Sequence, residues 1–181
     1  MIASLLIGLM MSLLPDMGTK TVLVTKNAEL TLFSKTPIED IQAVTKNAYG
    51  ILNLESGELQ FGVSVKSFQF RKSLMQEHFN ENYMESDKFP AAKFKGKLNI
   101  PIDTSRDGEY QVIATGDLEV HGVTQKRSIS GTIKVSKGKL EINSAFDVKC
   151  KDHNIKIPSL VFKNIAETIR ITLKGTFTLT T

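Results

Sequence analysis

The sequence predicts an all-β protein: a single antiparallel barrel of about eight strands with a short helix near its entrance. Apolar and polar residues alternate with a period of two along most of the chain after Lys20, which is typical of sheets with one buried face. Turn signals such as Asp107-Gly108 and Lys137-Gly138 separate the alternating segments. Eight or nine strands joined by short connections must close or form a sandwich to protect their edges.

The alternating segments predict strands in a definite order along the chain. Their ranges are 20–25, 29–36, 42–54, 58–70, 94–100, 110–120, 129–135, 140–150 and 169–179. The strand at 58–70 changes phase, because Phe61 and Val63 lie on one face whereas Phe68 and Phe70 lie on the other. A bulge near Lys66-Ser67 would bring both sets inward.

Two segments lack the two-residue period. Ser73–Tyr83 carries apolar residues at helical spacing, with Ser73 as a cap and Gln76 three residues later, so it predicts the short helix. Asp152–Glu167 is apolar without a strand period. We expect that segment to pack against the domain, over an open end of the barrel.

The first 19 residues differ in composition from the rest of the chain. The apolar run from Ile2 to Leu14 is too short to span a bilayer as a helix and fits the central region of a secretory signal. No Lys or Arg precedes the run, and no clear cleavage site follows it. A hydrophobic helix of the mature fold is the alternative. We expect a signal peptide at 1–19, a barrel domain at 20–181, and a periplasmic or secreted protein.

Composition excludes several classes of protein. The chain has 181 residues, a net charge of +4 and one cysteine, so it suits one domain and cannot form an intramolecular disulfide or a cysteine-cluster zinc site. Cys150 lies on the inward phase of its strand and is expected to be a buried, inert thiol. The lysines of Lys93–Lys97 fall on an outer face, so we expect no nucleic-acid partner.

Residues for catalysis or metal binding are sparse. His78 and Glu81 stand three apart without a second pair to complete a metal site, and no Gly-x-Ser-x-Gly motif occurs. We therefore expect no enzyme, no metal and no cofactor. Four strands carry a glycine on the inward face: Gly96, Gly116, Gly131 and Gly175. These glycines either bend strands around a filled core or leave room for an apolar ligand.

Several motifs, taken in order, resemble the YceI-like family of bacterial periplasmic, polyisoprenoid-binding proteins. The most specific pair is Ser86-Asp-Lys-Phe-Pro90 with Leu118-Glu-Val-His-Gly-Val-Thr124. The segments Lys66–Phe70 and Ile157–Leu160 add to the match, which extends over about residues 20–180. The resemblance implies a lipocalin-like barrel whose long apolar cavity binds an isoprenoid chain, such as a quinone tail or a polyprenyl phosphate, without catalysis.

The alternation of the strands and the resemblance to the YceI-like family together predict the site residues. We expect ten side chains to line the site for the lipid chain: Phe68, Phe70, Leu74, Phe79, Tyr83, Phe94, Val112, Ala114, Leu118 and Phe146. At the mouth, His121, Thr124 and Arg71 are candidates for contact with a polar head group. His121 has an alternative role, because a histidine at a strand end often orders its own turn.

The expected function is a carrier or sequestering protein for an isoprenoid lipid or another long apolar molecule, with transient membrane contact and a homodimer as further expectations. The alternatives are an enzyme acting on a small amphiphile in the barrel and a filled barrel with a structural or interaction role. Many relatives have an acidic residue after the arginine that precedes the helix, whereas this chain has Arg71-Lys72-Ser73. These two bases either favour a phosphate head group or are simply solvated.

Overall fold

A computed structural model describes residues 22–37, 39–157 and 166–179. In these residues, nine strands and one short α-helix follow one another along the chain. They are β1 (Val22–Ser34), β2 (Ile41–Asn53), β3 (Glu58–Ser64), β4 (Gln69–Phe70), α1 (Ser73–His78), β5 (Ala91–Leu98), β6 (Gly108–Val120), β7 (Val123–Ser136), β8 (Lys139–Lys149) and β9 (Thr168–Leu179). The proposed signal peptide at 1–19 and part of the apolar segment 152–167 lie outside the described residues.

The sheet is a closed antiparallel barrel. Its strands are hydrogen-bonded in the order β1-β9-β8-β7-β6-β5-β3-β2, and β2 pairs with β1 to complete the circle. The two-residue strand β4 pairs with β2 beyond the end of β3. The predicted barrel of eight strands with a short helix is confirmed.

One predicted strand boundary is wrong. The two strands predicted at 20–25 and 29–36 are, in the described residues, a single strand, β1, which is irregular between Thr25 and Ala28 in its pairing with β2. The irregularity keeps Thr25 and Ala28 both buried, whereas strict alternation would turn one of them outward.

The predicted phase change after β3 also takes a different form. A turn of 3-10 helix at Val65–Ser67, rather than a bulge, separates β3 from β4. The Ser67 hydroxyl donates to Ser64 O at 2.7 Å and lies 2.8 Å from the Thr45 hydroxyl. The turn resets the alternation, so that Val63 on one side of it and Phe68 on the other both pack in one buried cluster.

The predicted helix at 73–83 begins as α1 and continues as a π-helical turn, Phe79–Tyr83. Ser73 is its first helical residue and not its cap; Lys72 holds that position without a side-chain hydrogen bond. Gln76 does not complete a capping box, because its Oε1 instead accepts a hydrogen bond from Phe70 N at 3.3 Å. This bond ties the helix directly to β4.

The two ends of the barrel differ. We call the end with the β2–β3 and β7–β8 turns the closed end, since large side chains fill it: Leu52, Ile133, Leu140 and Phe177 are almost fully buried there. The opposite end, which carries α1 and the β6–β7 turn, is here called the helix end. No helix among the described residues is long and apolar enough to cross a membrane.

The inward glycines mainly shape the wall. Gly96 and Gly116 face each other across β5 and β6, and a Cβ on Gly116 would come within 2.1 Å of Lys95 O. A Cβ on Gly175 would meet Ala28 at 3.1 Å, so the core is filled there. Of the four glycines, Gly131 lines an apolar interior space, and Gly175 lines a second, more polar pocket.

Two hairpin turns have the same backbone geometry. His121-Gly122 joins β6 to β7, and Lys137-Gly138 joins β7 to β8; all four residues have positive φ, between 48° and 74°. Such two-residue turns match the twist of the strands they connect. Their surroundings differ, because a Cβ on Gly122 would lie 2.4 Å from the Phe89 ring, whereas one on Gly138 would meet no atom within 4 Å.

This contrast yields a matched pair of variants. Gly138→Ala is expected to lower the free energy of unfolding by about 1 kcal/mol, the cost of a side chain at positive φ. Gly122→Ala should cost roughly 1–3 kcal/mol more, since it also forces Phe89 out of place. Urea denaturation of both variants measures the difference, and equal losses would show that Phe89 does not pack on Gly122.

Candidate ligand-binding cavity

An apolar cavity of about 490 Å³ occupies the helix end of the barrel. Its wall combines the inner faces of the strands with α1 and the π-helical turn. Among the described residues, most side chains that line it are aliphatic or aromatic; they include Leu30, Leu32, Val63, Phe68, Phe70, Met75, Phe79, Phe94, Leu118, Phe146, Ile155 and Ile171. The space is therefore suited to an apolar molecule, as are most small-molecule sites of this size.

The structure places nine of the ten side chains predicted for the lipid chain on this wall. They are Phe68, Phe70, Phe79, Tyr83, Phe94, Val112, Ala114, Leu118 and Phe146. Leu74 is the exception: its side chain is 59% exposed and lies outside the lining. The helix turns its neighbour Met75 inward in place of Leu74.

Phe79 is the centre of an aromatic cluster that fixes the helix over the cavity. Its ring centroid lies 5.9 Å from that of Phe68 and 4.9 Å from that of Phe70. Tilted and edge-on aromatic pairs of this kind are each worth about 0.5–1.5 kcal/mol beyond area burial. The cluster joins the helix to the 3-10 turn and β4, which explains why the phase change after β3 and the helix occur together.

Ion pairs on the surface attach the same helical segment to the barrel. Lys72 Nζ lies 2.6 and 2.7 Å from the two carboxylate oxygens of Glu39, in the β1–β2 loop. Lys66 Nζ lies 2.6 Å from Asp87 Oδ1. All four side chains are substantially exposed, so each pair contributes at most about 1 kcal/mol. Lys72 is engaged by a carboxylate rather than free to meet a phosphate.

His121 is buried in the wall beside the cavity. Its Nδ1–H donates to His153 O at 3.1 Å, and its Nε2 lies 2.8 Å from Glu85 Oε2. The ring also packs edge-on against Phe89, with centroids 4.5 Å apart. We call these contacts the His121 junction.

A model of the YceI-like domain matches residues 23–177 of the sequence, which is most of the chain. The chain belongs to the YceI-like family. Among curated protein sequences, none matches it significantly.

Solved structures with this YceI-like fold are similar over most of their length although their sequences have diverged. A polyisoprenoid-binding domain from Saccharophagus degradans superposes with a TM-score of 0.71 at 13% identity, covering 88% of this chain and 99% of that one. BcnA from Burkholderia cenocepacia gives 0.71 at 13% identity, with 83% and 96% covered. A YceI protein from Campylobacter jejuni gives 0.60 at 15% identity, with 78% and 86% covered.

The two most specific YceI-like motifs meet in the folded protein. Phe89, from the first motif, packs on His121 and Gly122 of the second. Glu85, which immediately precedes the first motif, bonds His121. In this chain both motifs therefore build the wall between α1 and the β6–β7 turn.

The three residues predicted for the mouth do not line the cavity. Both ring nitrogens of His121 are engaged by His153 O and Glu85 Oε2, which supports its alternative role in ordering the turn. Thr124 is exposed on β7 opposite Glu119, and Arg71 is exposed at the bend before α1. The polar and charged side chains that do line the cavity include Glu39, His78, Tyr83 and Ser144. Sequence phase could not find Glu39, because it lies in a loop.

The described lining offers little for catalysis. Cys150 lines the cavity, but its Sγ hydrogen-bonds a backbone carbonyl, Ala166 O, at 3.9 Å, and burial raises the pKa of its thiol to about 11. Partial burial likewise raises the pKa of Tyr83, so its hydroxyl stays neutral. Among the described residues, no group of three or more His, Cys, Asp or Glu side chains is placed to hold a metal ion.

Removing the His121 side chain tests the junction. His121→Ala leaves His153 O and the Glu85 carboxylate without their donor, so we expect the free energy of unfolding to fall by about 2 kcal/mol. Glu85→Gln should cost less, roughly 1 kcal/mol or below, because Gln can still hydrogen-bond the ring and the side chain at position 85 is about half exposed. Chemical denaturation at neutral pH measures both. A His121→Ala variant as stable as the parent would contradict this role.

Cys150 makes stability depend on alkaline pH. The thiol pKa is about 11 in the folded protein against an ordinary value of 9.0, so above pH 9 the unfolded chain loses a proton that the folded chain retains. The free energy of unfolding should therefore fall as pH rises from 9 to 11. Cys150→Ala should show a shallower fall in denaturation experiments across that range. Identical slopes would show that the thiol is not shielded from water.

Proposed function

We propose that this YceI-like protein binds an isoprenoid lipid in the barrel cavity and acts as a periplasmic or secreted carrier or sequestering protein. The observation that carries the proposal is the apolar cavity beneath the Phe79 cluster. Family membership supports the same ligand class, and the S. degradans relative is described as a polyisoprenoid-binding domain. The head group is proposed to be of the quinone or polyprenyl phosphate type.

The size of the cavity is sufficient for useful affinity. At about 30 Å³ for each water-sized group, the cavity holds on the order of sixteen carbon atoms. Burying that many would gain roughly 13 kcal/mol at about 0.8 kcal/mol for each methylene. Association costs several kcal/mol, and about 8 kcal/mol is enough for micromolar binding. Hydrocarbon burial alone therefore accounts for binding without any catalytic step.

The alternative functions have less support. A filled barrel with a structural role fits poorly with a cavity of about 490 Å³. For an enzyme, the described lining would need a nucleophile paired with a base, whereas Cys150 contacts a backbone carbonyl. We therefore propose a binding protein and no enzymatic activity.

The proposed partners follow from the surface charges. The outer lysines of β5 lie beside acidic residues of β6 and β3, which does not favour a nucleic-acid surface: Glu119 lies opposite Lys93, Asp117 opposite Lys95 and Glu58 opposite Lys97. Export is supported by the apolar run from Ile2 to Leu14. Transient membrane contact and a homodimer stay predictions.

A cavity-filling variant tests the proposed site. Ala114 is buried on the inner face of β6 and lines the cavity, so Ala114→Phe should place a ring where the lipid chain lies. We expect it to reduce isoprenoid uptake at least about tenfold, at a stability cost of roughly 1–3 kcal/mol. Native mass spectrometry after incubation with farnesol measures the bound fraction.

The neighbouring residue provides the control. Ile113 is exposed on the outer face of β6, so Ile113→Phe adds an aromatic ring to the same strand without entering the cavity. Its farnesol uptake should equal that of the parent protein. If Ala114→Phe folds and still takes up farnesol normally, the lipid does not bind in this cavity.

A further inference from the structure

The barrel wall is split between β7 and β8 at the helix end. Their ladder runs from Ser136↔Lys139 to Gly131↔Ser144 and stops there. Beyond that point, among the described residues, 123–130 pair only with β6, and 145–149 pair only with β9. At about 3.3 Å for each residue, the unpaired edge of β8 extends over about 16 Å.

In the part of the chain that the structure describes, this gap is crossed by side-chain hydrogen bonds and not by a backbone ladder. Arg127 Nη2 donates to Asp147 O at 2.7 Å, and Gln125 Nε2 donates to Asp152 O at 2.9 Å. Only long side chains make these connections, which indicates that the strands have separated beyond ladder distance. We call the gap the β7–β8 window.

The β7–β8 window has a closed frame. On the side toward the closed end, it is bounded by the last pair of the ladder, Gly131↔Ser144, where the Ser144 hydroxyl also donates to Ser130 O at 2.6 Å. On the opposite side, it is bounded by the 3-10 turn Cys150–His153, where His153 Nδ1–H donates to Val123 O at 3.0 Å. The hydrogen bond from His121 Nδ1–H to His153 O, part of the His121 junction, holds that turn in place. The frame makes the window a defined opening rather than a frayed sheet edge.

The cavity reaches this window from inside. Ile129 and Gly131 of β7 line the cavity on one side of the split, and Ser144, Phe146 and Val148 of β8 line it on the other. In the other direction the interior stops, because Ile133, Leu140 and Phe177 fill the closed end. Among the described residues, a chain that enters at the helix end therefore meets a filled core ahead of it, and the split between β7 and β8 lies to its side.

The length of an isoprenoid makes this sideways path relevant. Sixteen carbons, the approximate capacity of the cavity, correspond to about three isoprene units. A chain of eight units has more than twice the volume that the cavity offers. We propose that the distal tail of an isoprenoid longer than about three units leaves the barrel through the β7–β8 window; this proposal rests on the proposed function.

The hydrogen bonds at the edges of the window favour a hydrocarbon tail over an inserted peptide strand. A strand entering the window would need the free backbone acceptors of both edges. Three of these carbonyls, those of Ser130, Asp147 and Val123, already accept side-chain hydrogen bonds, as does Asp152 O in the 3-10 turn. A hydrocarbon tail needs no such partners, and the aliphatic stem of Arg127 can cover it while the guanidinium remains in water.

Thiol accessibility at Arg127 tests the exit directly. Arg127→Cys places a thiol in the window, and Lys126→Cys places one on the exposed outer face of the same strand as a matched control. Both variants carry Cys150→Ala, so that only the introduced thiol reacts. Each protein is loaded with farnesol or with a prenol of eight isoprene units, and loading is verified by native mass spectrometry before maleimide labelling.

The long prenol is expected to slow labelling of Cys at position 127 by about fivefold or more, because access limits thiol reactivity, and to leave position 126 unchanged. Farnesol should protect neither position. Equal labelling at 127 with both prenols bound would overturn the window and leave the proposed function intact, as would binding of farnesol alone. Failure of the full-length protein to bind either prenol would overturn the proposed function and the window with it.

Discussion

The pairing of β1 with β2 closes the sheet, and the cavity depends on that closure. An eight-stranded barrel has an interior just wide enough for its own side chains or for one small ligand. In this chain, side chains fill one end of the barrel interior, and the other end is left open for a ligand. Large side chains fill the closed end, whereas the helix end has a helix and three phenylalanines arranged around an apolar space. The position of the cavity thus follows from which inward-facing strand positions carry large side chains and which do not.

Leaving apolar volume empty costs stability, and the surrounding wall compensates with specific contacts. The Phe79 cluster attaches the helical segment to β4, and the His121 junction joins it to the β6–β7 turn and the 3-10 turn after β8. Glu85 precedes His121 by 36 residues and His153 follows it by 32. One histidine therefore connects three separate parts of the wall.

The sequence predicts the barrel, the helix and most of the cavity wall because these depend on local periodicity. Phe94, Val112 and Phe146 fall on the inward phase of long strands, and phase alone places them correctly. Leu74 shows the limit of that reasoning, since adjacent helical positions such as Leu74 and Met75 differ by only part of a turn in direction. The role of His121 and the split between β7 and β8 depend on contacts between distant segments, for which the sequence carries no local signal.

The proposed function requires that the helix end of the barrel holds an isoprenoid chain. A crystal structure of the full-length protein, purified from a bacterial host without delipidation, tests it most directly. We expect continuous elongated density between Phe79, Phe94 and Phe146, running from the helix toward the β7–β8 window. An interior filled by its own side chains, or by ordered water alone, would contradict it.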